Sequence, residues 1–317
     1  MDHVIEARGL AKSFPGADAV RGVDLTVGAG EIVGFLGPNG AGKTTTLRML
    51  TTLLRPTAGT ATVAGRDLTG DPAGVRRRIG YVAQGGSTNP ACTAAQELVL
   101  QARLYRVPDP RARARELLER FGLPDRETGT LSGGQKRRLD IALGIVHTPA
   151  LIFLDEPTTG LDPQSRAEVW RHIRGLRDRH GTAVFLTTHS LDEADALCDR
   201  ILIIDQGKMI GEGTPEDLKR RLSGDIVTIE IDSEIDSEID GDAGRARDAL
   251  TALAAVRNVR VEDRTLRITV EHGDRILIEL TRALDTGGVR PRSIRLTRPT
   301  LDDVFLAVTA REAGRAA

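Results

Sequence analysis

Ile32-Val33-Gly34-Phe35-Leu36-Gly37-Pro38-Asn39-Gly40-Ala41-Gly42-Lys43-Thr44 is the stretch that decides the fold. Ile32 to Leu36 is a short apolar run of buried-strand type. Gly37 to Thr44 fits the pattern G-x-x-x-x-G-K-[ST]. Thr44 to Leu54 then carries Leu47, Leu50 and Leu54 at helical spacing. A strand, a Gly-rich turn and a helix in that order make a loop for phosphate. The glycines let the backbone wrap close to anionic oxygens. The helix that follows turns its positive end toward them. Lys43 would reach the outer phosphates and the Thr44 hydroxyl would bind Mg²⁺. Thr45, next in the chain, joins the candidate binding set.

A second element supports the first. Leu151-Ile152-Phe153-Leu154-Asp155-Glu156 is an apolar strand that ends in two acids. In an open α/β sheet a buried strand delivers its last residues to the carboxyl edge, where ligands bind. Asp155 would hold Mg²⁺ through water, and Glu156 would polarise the attacking water.

The elements around these two alternate. Strand Ile79–Val82 comes before a region rich in arginine. There Leu98, Leu100, Leu104, Leu117, Leu118 and Phe121 sit at helical spacings, and Pro108 and Pro110 separate two helices. This reads as a helical insertion over about residues 86–147. Strand Leu151–Leu154, helix Pro163–Arg179, strand Thr182–Thr187, helix Leu191–Leu197 and strand Ile201–Asp205 follow. That alternation implies a parallel sheet with crossover helices. A boundary is expected at Ser223-Gly224, giving an N-terminal domain over 1–222 and a C-terminal domain over 224–317.

The C-terminal order reads strand Ile226–Ile231, helix Ala243–Leu253, strands Val259–Glu262 and Thr265–Val270, helix Ile276–Leu284, strand Val289–Leu296 and helix Leu301–Val308. It is the βαββαβ pattern of ferredoxin-like domains. The acidic tandem Ser233-Glu234-Ile235-Asp236-Ser237-Glu238-Ile239-Asp240 reads as a solvated loop, with a regulatory contact as the alternative.

Composition bounds the partners. The chain has 317 residues, 40% of them apolar and 28% charged, with a net charge of −1. That is a globular composition with no global pull toward nucleic acid. Cys92 and Cys198 are too few and too far apart for a disulfide framework. Met1-Asp2-His3 lacks the basic start of a signal peptide, and no window has the roughly 18–20 apolar residues of a membrane span. The chain is therefore not expected to carry a solute across a bilayer alone.

Leu131-Ser132-Gly133-Gly134-Gln135 narrows the reading to one family. Ser132 and the glycines open a helix over Gln135–His147, a second helix N-terminus suited to an anion. The pentapeptide resembles the signature of ABC transporter ATP-binding subunits. The resemblance covers about residues 4–220. It implies an α/β fold of P-loop NTPase type, with a RecA-like core, N-terminal antiparallel strands and the helical insertion. It also implies ATP and Mg²⁺ as cofactors. The partner would be a second copy of the chain, placed head to tail, with ATP sandwiched between one phosphate loop and the other subunit's signature.

Other positions match in family order. Gln84 resembles the Q-loop glutamine that senses Mg²⁺ and the membrane subunit. Gly160-Leu161-Asp162 resembles the D-loop. His189, 33 residues after Glu156, resembles the switch histidine at the γ-phosphate. Phe14 stands where an aromatic stacks on adenine. Arg137-Arg138-Leu139-Asp140 and the tail Pro299-Thr300-Leu301-Asp302-Asp303-Val304-Phe305-Leu306 are similar to the daunorubicin-resistance type. Thr93-Ala94-Ala95-Gln96-Glu97-Leu98 departs from the family, where relatives often have Glu-Asn-Leu.

The resemblance thus implies the ATP-hydrolysing subunit of a drug or lipid exporter. It would dock on a separately encoded permease at the cytoplasmic face of the membrane. Two rivals are weighed. An importer or other permease would use the same chemistry. A soluble ABC ATPase acting on ribosomes or DNA would carry two cassettes or long coiled coils, and residues 45–130 show no sustained heptads.

Overall fold

The computed structural model describes residues 3–86, 88–222, 225–231, 239–262, 265–270, 273–297 and 300–301. The chain divides into two compact units, Met1–Thr214 and Pro215–Ala317.

The first unit opens with strands β1 (His3–Phe14), β2 (Ala17–Gly28) and β3 (Ile32–Leu36), then helix α1 (Lys43–Leu50). Strands β4 (Ala58–Val63) and β5 (Arg66–Asp67), helix α2 (Pro72–Arg78) and strand β6 (Ile79–Val82) follow. Helices α3 (Ala94–Leu104), α4 (Pro110–Arg120) and α5 (Gly133–Gly144) form the insertion. Strand β7 (Leu151–Asp155), helix α6 (Pro163–His180), strand β8 (Ala183–Thr188), helix α7 (Leu191–Leu197) and strands β9 (Arg200–Asp205) and β10 (Lys208–Gly213) complete it.

Two sheets face a shared apolar core. Strands β2, β1, β4 and β5, in that spatial order, make an antiparallel sheet. The second sheet has the order β10-β9-β3-β8-β7-β6. All its pairings are parallel except β10 on β9. Strands β3, β7 and β8 are buried along their whole length, which is why they read as unbroken apolar runs. Phe185 on β8 packs between Phe35 and Phe153, with ring centroids 5.5 and 5.7 Å away. Because β3, β6, β7 and β8 run in one direction, their carboxyl ends fall on one edge. Gly37, Gln84, Glu156 and His189 each lie just beyond one of those ends.

The expected helix Thr44–Leu54 is shorter than its leucine spacing suggests. α1 stops at Leu50, and Thr52 has φ of 64°. The Leu54 N–H turns back to the carbonyl of Arg48 at 3.0 Å. Leu54 packs on the core from this turn, so the spacing is satisfied without helix. The signature helix is likewise shifted from the expected Gln135–His147 to Gly133–Gly144. His147, beyond its end, stacks on Tyr105 with centroids 3.7 Å apart. Helix α6 starts at Pro163 as read, with Asp162 as its cap, whereas Pro110, read only as a separator, is itself the first residue of α4 behind the cap Asp109.

The second unit comprises α8 (Pro215–Leu222), β11 (Asp225–Ile231), α9 (Ile239–Thr251), β12 (Val256–Glu262), β13 (Thr265–Val270), α10 (Gly273–Thr286) and β14 (Pro291–Thr297). Its sheet is antiparallel in the order β12-β13-β11-β14, the ferredoxin-like arrangement that the element order predicts. Val227, Ile229, Leu266, Ile268, Leu280 and Leu284 are fully buried in its own core. α9 begins at Ile239 and not at Ala243, so the end of the acidic tandem is helical. Ser233 to Glu238, and the expected helix beyond Leu301, lie outside the described residues.

Candidate functional site

The loop from Gly37 to Gly42 joins β3 to α1 and folds onto the strands around it. Gly42 caps α1 with φ of 105°, and a Cβ there would lie 2.5 Å from the carbonyl oxygen of Ala19. Only glycine fits both that angle and that approach. Ala41 is buried, Pro38 and Thr45 are half-buried, and Asn39 and Gly40 form the exposed tip. Lys43 is 5% exposed. Its Nζ donates to the carbonyls of Gly37 at 2.7 Å and Pro38 at 3.0 Å. Burial lowers its proton affinity, and the charges of Glu156 and Asp155 oppose that. The ammonium therefore sits inside its own loop, with the acid pair nearby.

Asp155 ends β7 and is 3% exposed. Its Oδ1 accepts from the Thr187 hydroxyl at 2.6 Å and lies 3.4 Å from the Thr44 hydroxyl. Thr44 and Asp155 come together from distant parts of the chain, and their oxygens suit a hard cation. Among the described residues no group of three or more His, Cys, Asp or Glu side chains could hold a metal ion. The hydroxyl and the carboxylate are the kind of oxygen donors that Mg²⁺ takes from protein, one or two at a time beside water and phosphate.

Glu156 has φ of 47°, a left-handed conformation that costs a non-glycine residue about 1–3 kcal/mol. Its N–H is held by both the carbonyl and the hydroxyl of Thr187, each at 3.1 Å. Three side chains meet its carboxylate. Gln84 Nε2 donates to Oε2 at 2.9 Å, and the Thr159 hydroxyl donates to the same oxygen at 3.1 Å. His189 Nδ1 lies 3.2 Å from Oε1. The structure thus brings Gln84, Glu156 and His189 together from β6, β7 and β8.

Ser132 caps α5 in a reciprocal box with Gln135. The Gln135 N–H donates to Ser132 Oγ at 3.2 Å, and the Ser132 N–H donates to Gln135 Oε1 at 3.0 Å. Ser132 and Gly133 are exposed. Gly134 packs on α6, where a Cβ would lie 2.5 Å from Ser165 Oγ. Asp162 accepts from the Ser165 N–H at 2.9 Å and from its hydroxyl at 2.7 Å. These bonds hold the Asp162 carboxyl below the usual carboxylate range. A cleft of about 410 Å³ runs between the acid pair and the signature, and Gln84, Gly133, Lys136, Arg137, Glu156 and Gly160 line it. Phe14 ends β1, is 44% exposed, and has the Lys12 ammonium 5.3 Å from its ring centroid.

Two buried charged residues were not among the expected site residues. Arg137 is 7% exposed and donates to the carbonyls of Ala83, Asp155 and Pro157 at 2.6, 2.8 and 2.7 Å. Glu193 is 1% exposed and accepts from the Thr158 hydroxyl at 2.7 Å and from Trp170 Nε1 at 3.2 Å. Each stands among other charges of its helix, Arg137 between Lys136 and Arg138 and Glu193 beside Asp192. Only the fold shows that they flank the acid strand. Chemically, the edge gathers an ammonium, two carboxylates, an amide and an imidazole, the groups needed to hold a polyphosphate and steer a water.

A family model described as ABC transporter matches residues 20–159. One described as ATP-binding protein DrrA1-3-like, C-terminal domain, matches residues 213–309. The daunorubicin/doxorubicin resistance ATP-binding protein DrrA of Streptomyces peucetius is 46% identical over 98% of this chain and 93% of its own. The linearmycin resistance ATP-binding protein LnrL of Bacillus subtilis is 34% identical over 97% of this chain and 99% of its own. Among solved structures, the dimeric post-hydrolysis state of the ATP-binding cassette MJ0796 with ADP and Pi superposes with a TM-score of 0.61 at 26% identity. It covers 66% of this chain and 98% of that one. CbiO1 of Clostridium perfringens, part of the transporter complex cbiONQ, gives 0.63 at 27% identity, over 70% of this chain and 92% of its own. The chain therefore belongs to the ABC transporter family, as an ATP-binding cassette ATPase of the type that carries the DrrA-like C-terminal domain.

Proposed function

We propose that this chain energises the export of a drug-like or lipid-like molecule by hydrolysing ATP at two sites shared between two copies. The observation that carries the chemistry is the Glu156 carboxylate, met by Gln84, Thr159 and His189 within 3.2 Å and next to the phosphate loop. Residues Gly37 to Thr45 hold the phosphates. Lys43 leaves the carbonyls of Gly37 and Pro38 for the β- and γ-phosphates, and Phe14 stacks on the adenine. Thr44, Asp155 and Gln84 would hold Mg²⁺, which would supply positive charge against the phosphates there. Glu156 polarises the attacking water, and His189 contacts the γ-phosphate. Ser132, Gly133, Gly134, Gln135 and Asp162 face the nucleotide of the second copy.

Two considerations support the transport side. Among the described residues no helix is long and apolar enough to cross a membrane, so a solute path needs a separate permease subunit. That subunit would hold this chain at the cytoplasmic face. Relatives of near-identical length are named for resistance to daunorubicin and linearmycin, which favours export over import. Cells that express this chain with its membrane subunit should accumulate less daunorubicin or linearmycin than cells with the membrane subunit alone. The Glu156→Gln chain should not lower accumulation. Equal drug content in all three strains would refute the export reading.

A further inference from the structure

Glu156 cannot hold its left-handed backbone by itself. The carbonyls on either side of it, those of Asp155 and Pro157, both accept from one guanidinium. Arg137 Nη2 reaches the first at 2.8 Å and Nε the second at 2.7 Å. The remaining arm, Nη1, reaches the carbonyl of Ala83 at 2.6 Å, the residue before Gln84. One planar fork thus fixes the backbone beside both Glu156 and the glutamine that hydrogen-bonds its carboxylate. Lysine, a point donor on a flexible stem, does not reproduce three fixed directions.

The placement is costly, which argues that geometry is what it serves. A buried charge must be matched by well-aimed partners, or it destabilises the fold. Burial lowers the proton affinity of Arg137, and the charges of Asp140, Glu193 and Asp155 offset that. Glu193 holds the next residue of the same segment by accepting from the Thr158 hydroxyl.

Arg137 also has a telling address. It lies on α5, the helix whose first residues are the signature. In the shared-site arrangement, the signature serves the nucleotide of the second copy, whereas Glu156 and Gln84 serve the chain's own. Any shift of α5 as the signature meets its nucleotide must act on the carbonyls that Arg137 grips. We propose that Arg137 is a positioning residue that holds Glu156 and Gln84 in place and couples them to the signature helix, so that each site responds to the other. The proposal rests on the reading of Glu156 as the base and of the sites as shared.

The test uses full-length Arg137→Lys and Arg137→Ala, checked for folding by thermal melt. Nucleotide affinity should stay within about threefold of wild type, because Arg137 does not touch the phosphate loop, whereas kcat should fall by about tenfold or more. The ATP dependence of the rate should lose cooperativity. Millimolar guanidinium ion should restore part of the kcat of Arg137→Ala and none of that of Glu156→Gln. If the alanine variant does not fold, the lysine variant carries the test through kcat, affinity and cooperativity. Wild-type kcat and cooperativity in Arg137→Lys overturn the proposal. So does a loss of kcat matched by an equal loss of nucleotide affinity. A slow Glu156→Gln beside a full-speed Arg137→Lys overturns this proposal alone, whereas full speed in Glu156→Gln removes the base it positions.

Discussion

Replacing Glu156 with glutamine should leave ATP binding intact and reduce kcat by about 10²–10⁴-fold, the usual contribution of a positioned general base. The amide keeps the shape of the side chain. It also keeps one oxygen that can accept from Gln84, Thr159 or His189, the three groups that now meet the carboxylate at 2.9, 3.1 and 3.2 Å. It loses the charge that draws a proton from water. The phosphate loop is untouched, because Lys43 and Thr44 are set by β3 and α1. ATP should therefore bind and stay, and the dimer closed by it should accumulate. Equilibrium binding, single-turnover hydrolysis and size-exclusion chromatography with ATP measure the three parts. Wild-type turnover would remove Glu156 from the catalytic step.

Lys43→Ala should act at the earlier stage. The ammonium is buried and already desolvated, with two carbonyl partners at 2.7 and 3.0 Å. Exchange of those carbonyls for phosphate oxygens costs little further desolvation, so most of the attraction is retained as binding. Charge-assisted hydrogen bonds of this kind contribute roughly 1.5–3 kcal/mol each. Loss of one lowers nucleotide affinity about 10- to 100-fold. A titration with a fluorescent ATP analogue reads this directly. Unchanged affinity would exclude the loop from Gly37 to Thr44 as the phosphate site.

The parts of the site that the sequence displayed are those whose chemistry is contiguous. Gly37 to Thr44, Leu151 to Glu156 and Leu131 to Gln135 each carry strand, turn or cap information beside the functional residue. Gln84, Asp162 and His189 were reached only through the order of motifs in the family. Their contacts come from long-range folding: 72 residues separate Gln84 from Glu156. Arg137 stood only in a phrase that resembles the family and Glu193 in no motif, because a buried charge on a helix has no local mark of its role. Nor does the left-handed φ of Glu156 show in its residue type, since it is imposed by Thr187 and Arg137. Boundaries slipped where tertiary packing competed with period. Leu54 continues a helical leucine spacing yet packs from a turn, and His147 leaves the signature helix to stack on Tyr105. The ferredoxin-like sheet order was legible because hairpin and crossover rules leave few ways to pair four strands.

The shared site is the central claim, and mixed dimers test it most directly. A Ser132→Arg chain spoils the signature it offers and keeps its own phosphate loop. A Lys43→Ala chain does the reverse. Each homodimer has two damaged sites and should be nearly inactive. In a mixed dimer one site gathers both defects and the other has neither, so ATPase activity should return in part as the two variants are combined. Activity in isolated monomers, or no recovery in mixtures where heterodimers are shown to form, would contradict the account.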